Sequence, residues 1–219
     1  MQHYQFDWRV VVEPSAWLHA LAITLGYAAG TIVVGMAIGV ICGSLLLSRR
    51  WWLRGPAAAY VQFFRCTPSM VQIIWFYYAL PILTGFTLSS WVAAGLGLTL
   101  YMGAFCSEIF RGGIISIERG QWNAARALGM SHMRLMRHVI LPQAMRRMVP
   151  PFVNQCILQL KNTSLLYVVA VPDLMYTSYE LTSQTYRPLE VYTFVALVYL
   201  VILFPVTMMA KRLEVKVQR

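Results

Sequence analysis

The stretch WLHALAITLGYAAGTIVVGMAIGVICGSLLL, residues 17–47, carries no Asp, Glu, Lys or Arg. A helix rises 1.5 Å per residue, so about 20 apolar residues cross a hydrocarbon core. This stretch is longer than one crossing needs. Four more apolar stretches follow, at residues 57–80, 89–110, 148–171 and 189–210. Strict two-residue alternation is absent, which argues against a β-barrel. The expected fold class is all-α: a polytopic membrane protein with five transmembrane helices, forming a single transmembrane domain over residues 1–219. Composition agrees. Of the 219 residues, 58% are hydrophobic and 12% charged, against about 45–50% and 25% in soluble domains. Intrinsic disorder is excluded, and four cysteines are too few for a disulfide scaffold.

The basic residues set the expected orientation. Arg49, Arg50 and Arg54 follow the first span. Seven arginines, from Arg111 to Arg147, lie between the third and fourth. Lys211, Arg212, Lys216 and Arg219 follow the fifth. The opposite side holds only Arg9 and Arg187. The N-terminus is therefore expected outside and the C-terminus in the cytoplasm. The same asymmetry accounts for the net charge of +10 without nucleic acid. Asp7, Arg9 and Glu13 precede the first span, which is read as an uncleaved anchor rather than a signal peptide. Trp17, Trp51, Trp52 and Trp91 stand where interfacial aromatic belts contact membrane lipids. Cys42, Cys66, Cys106 and Cys156 form no CxxC pair and read as free thiols. No metal site is expected.

Gly26, Gly30, Gly35, Gly39 and Gly43 line the first span, mostly at four-residue spacing. Such a face suits close helix packing. Gln62, Arg65, Ser69 and Gln72 are spaced 3, 4 and 3 apart, so an unbroken helix would place them on one face. Pro68 interrupts that stripe and frees the Phe64 carbonyl. Breaks of this kind are tolerated where they line a cavity. In the fourth span Gln155, Gln159 and Asn162 share a face, with Lys161 beside it. Arg65 and Lys161 each lie ten residues from a span end, hence ~15 Å deep. Either they meet an anionic group such as a carboxylate, or they bind freed carbonyls and neighbouring subunits. Glu108, with Arg111 at i+3, reads as a scaffold acid and a poor partner for either cation.

Residues 112–145 are too long for a simple connection. Trp122, Ala125 and Leu128 fall on one face of a short helix, Gly129 suits a C-terminal cap, and Ser131 starts a second helix that is expected to end near Pro142. The run RGGIISIERGQWNAARALGMSHMRLMRHVILPQAMRRMVPPFVNQ (111–155) resembles the coupling segment of type I ABC importer permeases of the histidine/glutamate/arginine class. FRCTPSMVQIIWFYYALP (64–81) and LKNTSLLYVVAVPDL (160–174) are similar to further family runs.

The resemblance implies a permease subunit of an ATP-driven importer in the bacterial inner membrane, moving a polar amino acid or related small carboxylate inward. It implies docking to a cytoplasmic ABC ATPase dimer through Gln121, Asn123, Ala124, Ala125, Leu128 and Gly129. It also implies pairing with an identical or homologous permease, and contact between the external segment 172–188 and a solute-binding protein. With the polar stripes it gives Arg65, Thr67, Ser69, Gln72, Lys161 and Asn162 as substrate-path candidates. The family usually has glutamate at position 123, glycine at 66 and often aspartate at 162, where this chain has Asn123, Cys66 and Asn162. No GxxxxGK loop occurs, so ATP and Mg²⁺ are expected on the partner and no cofactor on this chain. Neither HExxH nor GxSxG occurs, which argues against an intramembrane enzyme and leaves no catalytic residue to name. A gated channel or membrane scaffold without ATP coupling is the alternative reading.

Overall fold

The computed structural model describes residues 5–218, and these hold helices and no strand. A 3-10 turn, Trp8–Val11, leads into α1, Pro14–Leu46. There follow α2, Trp51–Cys66; α3, Ser69–Ile74; and α4, Leu80–Thr84. Then come α5, Ser90–Ile115; α6, Arg119–Ala127; α7, His132–Leu135; and α8, Leu141–Asn162. A 3-10 stretch, Thr163–Val169, precedes α9, Leu174–Thr185, and α10, Pro188–Gln218.

Among the described residues, α1, α5 and the part of α10 to Arg212 are long and apolar enough to cross a membrane. Counting α2 with the α3–α4 stretch as one broken span gives a fourth. The stretch at 148–171 does not pass on length and composition, because Gln155, Gln159, Lys161 and Asn162 dilute its apolar content.

Two helices continue through proline by way of a widened turn. Trp75–Ala79 and Met136–Ile140 are π-helical. In each, a Leu N–H closes the wide turn: Leu80 onto the Trp75 carbonyl and Leu141 onto that of Met136. A proline comes next in both, Pro81 and Pro142. Proline lacks an N–H and its ring collides with the carbonyl four residues back, and a π turn relieves that collision by widening the helix. The helix expected to end near Pro142 therefore runs on to Asn162.

The chain sorts into two compact units, each drawn from three segments. Among the described residues, 32–67, 99–156 and 207–218 form one. Here Gly35, Gly39 and Gly43 lie against α5. A Cβ on them would come within 2.6 Å of Met102, 2.3 Å of Cys106 and 2.8 Å of the Ser107 carbonyl. Nothing lies within 4 Å of a Cβ built on Gly26 or Gly30, so the close approach uses three of the five glycines. Below that seam Ile114, Ile117, Ala125, Leu135, Ile140 and Met148 make a continuous core.

Among the described residues, the other unit comprises 5–31, 68–98 and 157–206. One cluster joins Ile73, Ala94, Leu98, Leu166 and Val171. A second joins Trp17, Ala20, Leu174, Val191 and Val195. Trp17 is 7% exposed and donates its indole N–H to the Val11 carbonyl at 3.1 Å. It is a core residue, not a member of an aromatic belt. Trp51, Trp52 and Trp91 are exposed.

Candidate functional site

Two helix interruptions carry the polar residues singled out above. The first follows Arg65. Thr67 and Pro68 are extended, with φ/ψ of −105°/138° and −61°/135°. Pro68 then serves as N-cap of α3, its carbonyl accepting the Gln72 N–H at 3.2 Å. The Thr67 hydroxyl turns back to the Phe63 carbonyl at 2.8 Å. The stripe Gln62–Arg65–Ser69–Gln72 is thus not one helix face: it is split between α2 and α3.

Around Arg65 the structure corrects the reading of Glu108. Arg65 Nη1 lies 4.0 Å from Glu108 Oε2, and its guanidinium sits over the Phe105 ring at 5.5 Å. Arg111 holds the same carboxylate more tightly, with Nη2 at 2.7 Å and Nε at 3.2 Å from both oxygens. One acid therefore serves two cations. An exposed pair of this kind contributes little by itself, but the bidentate fork and ring stacking fix where Arg65 points.

The second interruption follows Lys161. The helix tightens to 3-10 from Thr163, and the chain turns at Ala170, which takes φ 56° in the left-handed region. Lys161 is exposed, and among the described residues no carboxylate lies within ion-pair distance of its ammonium. Asn162 is half-buried and Thr163 buried. Ser69 and Gln72 are brought near this region, because α3 packs against the 3-10 stretch that follows Asn162. Gln72 itself is buried.

Some polar residues turn out to be internal ties. Gln159 is fully buried and donates to Thr31 Oγ1 and the Leu98 carbonyl, both at 3.0 Å, joining α8 to α1 and α5. Asp173 caps α9, accepting the Tyr176 N–H at 2.8 Å, while the Thr24 hydroxyl accepts the Leu174 N–H at 3.2 Å. Burial pushes the Asp173 carboxyl up to about 7 against the pull of the backbone N–H groups. Glu190, also fully buried, accepts from Arg187 and from the Asp7 N–H, both at 3.0 Å. The Arg187–Glu190 spacing of three was the available sequence signal for this last tie.

In the segment between α5 and α8, α6 is amphipathic with a defined inner face. Ala125 is 4% exposed and joins the core, with Trp122 packed on it. Its side chain is covered by its own chain, on the inner face of α6. Asn123, Ala124 and Gln121 are exposed, and Leu128 is 82% exposed. Gly129 ends the helix at φ 70°, with Met130 N–H reaching back to the Ala125 carbonyl at 3.2 Å. That left-handed cap needs glycine. Gln143 of α8 donates to Gln121 Oε1 at 3.4 Å, and Arg147 donates to the Ser116 carbonyl.

Long apolar helices, cation-bearing helix breaks and a surface helix seated on the core define a membrane permease. The chain belongs to the family of binding-protein-dependent transport system inner membrane components, whose family model matches residues 35–219. It is 36% identical over 208 residues to the octopine transport system permease protein of Rhizobium meliloti, covering 91% of this chain and 83% of that one. It is 37% identical over 201 residues to a probable glutamine ABC transporter permease protein of Bacillus subtilis, covering 92% and 91%. Its fold matches a chain in the crystal structure of an amino acid ABC transporter with a TM-score of 0.91 at 28% identity, covering 97% of this chain and 100% of that one. The chain is a permease subunit of the ABC importer class, a component of the bacterial inner membrane and not itself an enzyme. The stand-alone channel or scaffold reading gives way to this one.

Proposed function

We propose that this chain is the membrane pathway of an importer for a polar amino acid or related small carboxylate. It acts as one permease domain with five spans, N-terminus outside and C-terminus in the cytoplasm. It pairs with an identical or homologous permease, because one small helical chain makes a narrow wall for a gated path. Two cytoplasmic ATPases supply the energy and hold ATP and Mg²⁺. An external solute-binding protein delivers the solute to the face formed by residues 172–188. The names of the relatives, octopine and glutamine permeases, support an amino acid or amino acid conjugate as solute.

The observation that carries this reading is the seating of α6. Its inner face, Trp122 and Ala125, rests on a core shared with Leu135, Ile140, Ala144 and Met148. Its outer face, Asn123, Ala124 and Leu128, is free for a partner. That core includes Ala144 and Met148 of α8, so the inner face of α6 is packed on the first half of that helix. Asn123 makes the docking contact a neutral hydrogen bond rather than an ion pair.

The test is reconstitution of the chain with its ATPase and binding protein in vesicles, followed by uptake of labelled glutamine, arginine and glutamate. ATP-dependent uptake of at least one is expected; solute flux without ATP would overturn the reading. Leu128→Asp checks the docking face. Burying a leucine contributes about 1.5–3 kcal/mol, so co-purification of the ATPase should weaken by about tenfold or more while the permease keeps its melting temperature. Undiminished co-purification would move the docking contact off Leu128.

A further inference from the structure

We propose that the permease holds an anionic phospholipid headgroup in a basic pocket at the ends of α1 and α5. The pocket has a volume of about 450 Å³, within the usual range for small-molecule sites, about 300–1,000 Å³. Its polar rim is formed by Arg49, Arg119, Arg126 and His132. Neither Asp nor Glu lines it. Among the described residues, no hydrogen bond or ion pair engages the three guanidinium groups or the imidazole. Much of the remaining lining is apolar: Leu47, Ile114, Ile115, Ile117 and Met136.

Position and chemistry together select the ligand. Leu47 and Arg49 lie just past the end of α1, and Ile114 and Ile115 are the last two residues of the membrane-length α5. Both helices qualify as membrane spans, so the pocket opens where hydrocarbon gives way to headgroups. Clustered cations without a counter-charge attract a phosphate, which arginine binds through paired N–H donors. Basic pockets between transmembrane helices are the recurring solution for anionic headgroups. The apolar wall accommodates the upper acyl chain, which free phosphate does not have. Trp122 and Asn123 of α6 also line the pocket, so a bound lipid would brace the helix proposed to meet the ATPase. That consequence rests on the proposed function; lipid retention does not.

The experiment is native mass spectrometry of the full chain in detergent, titrated separately with phosphatidylglycerol, with phosphatidylcholine of the same acyl chains, and with inorganic phosphate. One saturable phosphatidylglycerol adduct is expected, with phosphatidylcholine and phosphate binding far more weakly. The double variant Arg119→Gln/Arg126→Gln should bind phosphatidylglycerol about 30-fold more weakly, at about 1 kcal/mol per removed cation near a membrane surface. Arg54→Gln/Arg146→Gln makes the same charge change outside the pocket and should leave the adduct intact. Equal loss in both variants would reduce the effect to bulk charge and overturn the site. Equal retention of the two lipids would overturn it too. Stoichiometric inorganic phosphate, with no preference between the lipids, would assign the pocket to free phosphate instead. Melting temperature in detergent separates a lost site from a lost fold.

Discussion

Two helix breaks in this permease carry a cation just ahead of them, and they treat it differently. Before the break at Thr67–Pro68, Arg65 is held by Glu108 and the Phe105 ring. Before the 3-10 stretch at Thr163–Val169, Lys161 is exposed and meets no carboxylate among the described residues. The helices beyond the breaks also start differently. Pro68 caps α3 without a side-chain bond, whereas Asp173 caps α9 through its carboxylate. A cation that already has a counter-charge gains less from a solute carboxylate than one that lacks it. The difference therefore gives Lys161 the stronger claim to an anionic solute group and Arg65 the stronger claim to shaping the path.

Removing Lys161 is the most direct way to break that distinction. Lys161→Met deletes the ammonium and keeps most of the stem. A hydrogen bond to a charged group is worth about 1.5–3 kcal/mol, so uptake efficiency should fall by about 10- to 100-fold. Binding of the ATPase should be unchanged, and Lys161→Arg should restore part of the uptake. Arg65→Leu should cost less uptake than Lys161→Met. A larger loss for Arg65→Leu would reverse the assignment of the two cations.

Glu108 offers a second, smaller effect. Glu108→Gln leaves Arg65 and Arg111 without their shared charge. Both guanidinium groups are more than a third exposed, so solvent screens the loss and the expected cost is about 1 kcal/mol or less. Thermal unfolding of Glu108→Gln, Arg65→Leu and the double variant gives the coupling between the two positions. Additive effects would mean that Arg65 is as free as Lys161, and the contrast would collapse.

Reading the sequence recovered what local rules dictate. Residues 17–47 place the chain in a membrane because no other environment suits so long an apolar helix. Pro68 marks a break because a proline cannot donate, and Gly129 marks a cap because its backbone needs φ 70°. Gly35, Gly39 and Gly43 announce close packing, which the 2.3–2.8 Å approaches to α5 demand. What escaped depends on distant parts of the chain. Glu108 reaches Arg65 only through the way α2 lies along α5. The small inner face of α6 reads the same whether its own core or a partner covers it, so Ala125 pointed both ways. Nothing local distinguishes a proline that ends a helix from one that follows a π turn, hence the misplaced end at Pro142. Trp17 looked interfacial because its neighbours in sequence are apolar, yet it folds onto Val11 and Phe194.

The cap at Asp173 sharpens the comparison with the least perturbation. Its carboxyl is raised to about 7 by burial, from about 3.9 in an unfolded chain. Between those values the folded state binds more protons than the unfolded one, so stability should fall as pH rises. The contribution is complete below about pH 4 and lost as pH passes about 7. Asp173→Asn keeps a good cap and removes the titration, so the melting temperature should become flatter from pH 4 to 7 with little change at the acid end. Asp173→Ala removes the cap as well and should lower stability across the range by about 1 kcal/mol. The break at Thr67–Pro68 has no side-chain cap to titrate. If Asp173→Asn left the slope unchanged, the buried carboxyl would not be its source, and the two breaks would differ in their cations alone.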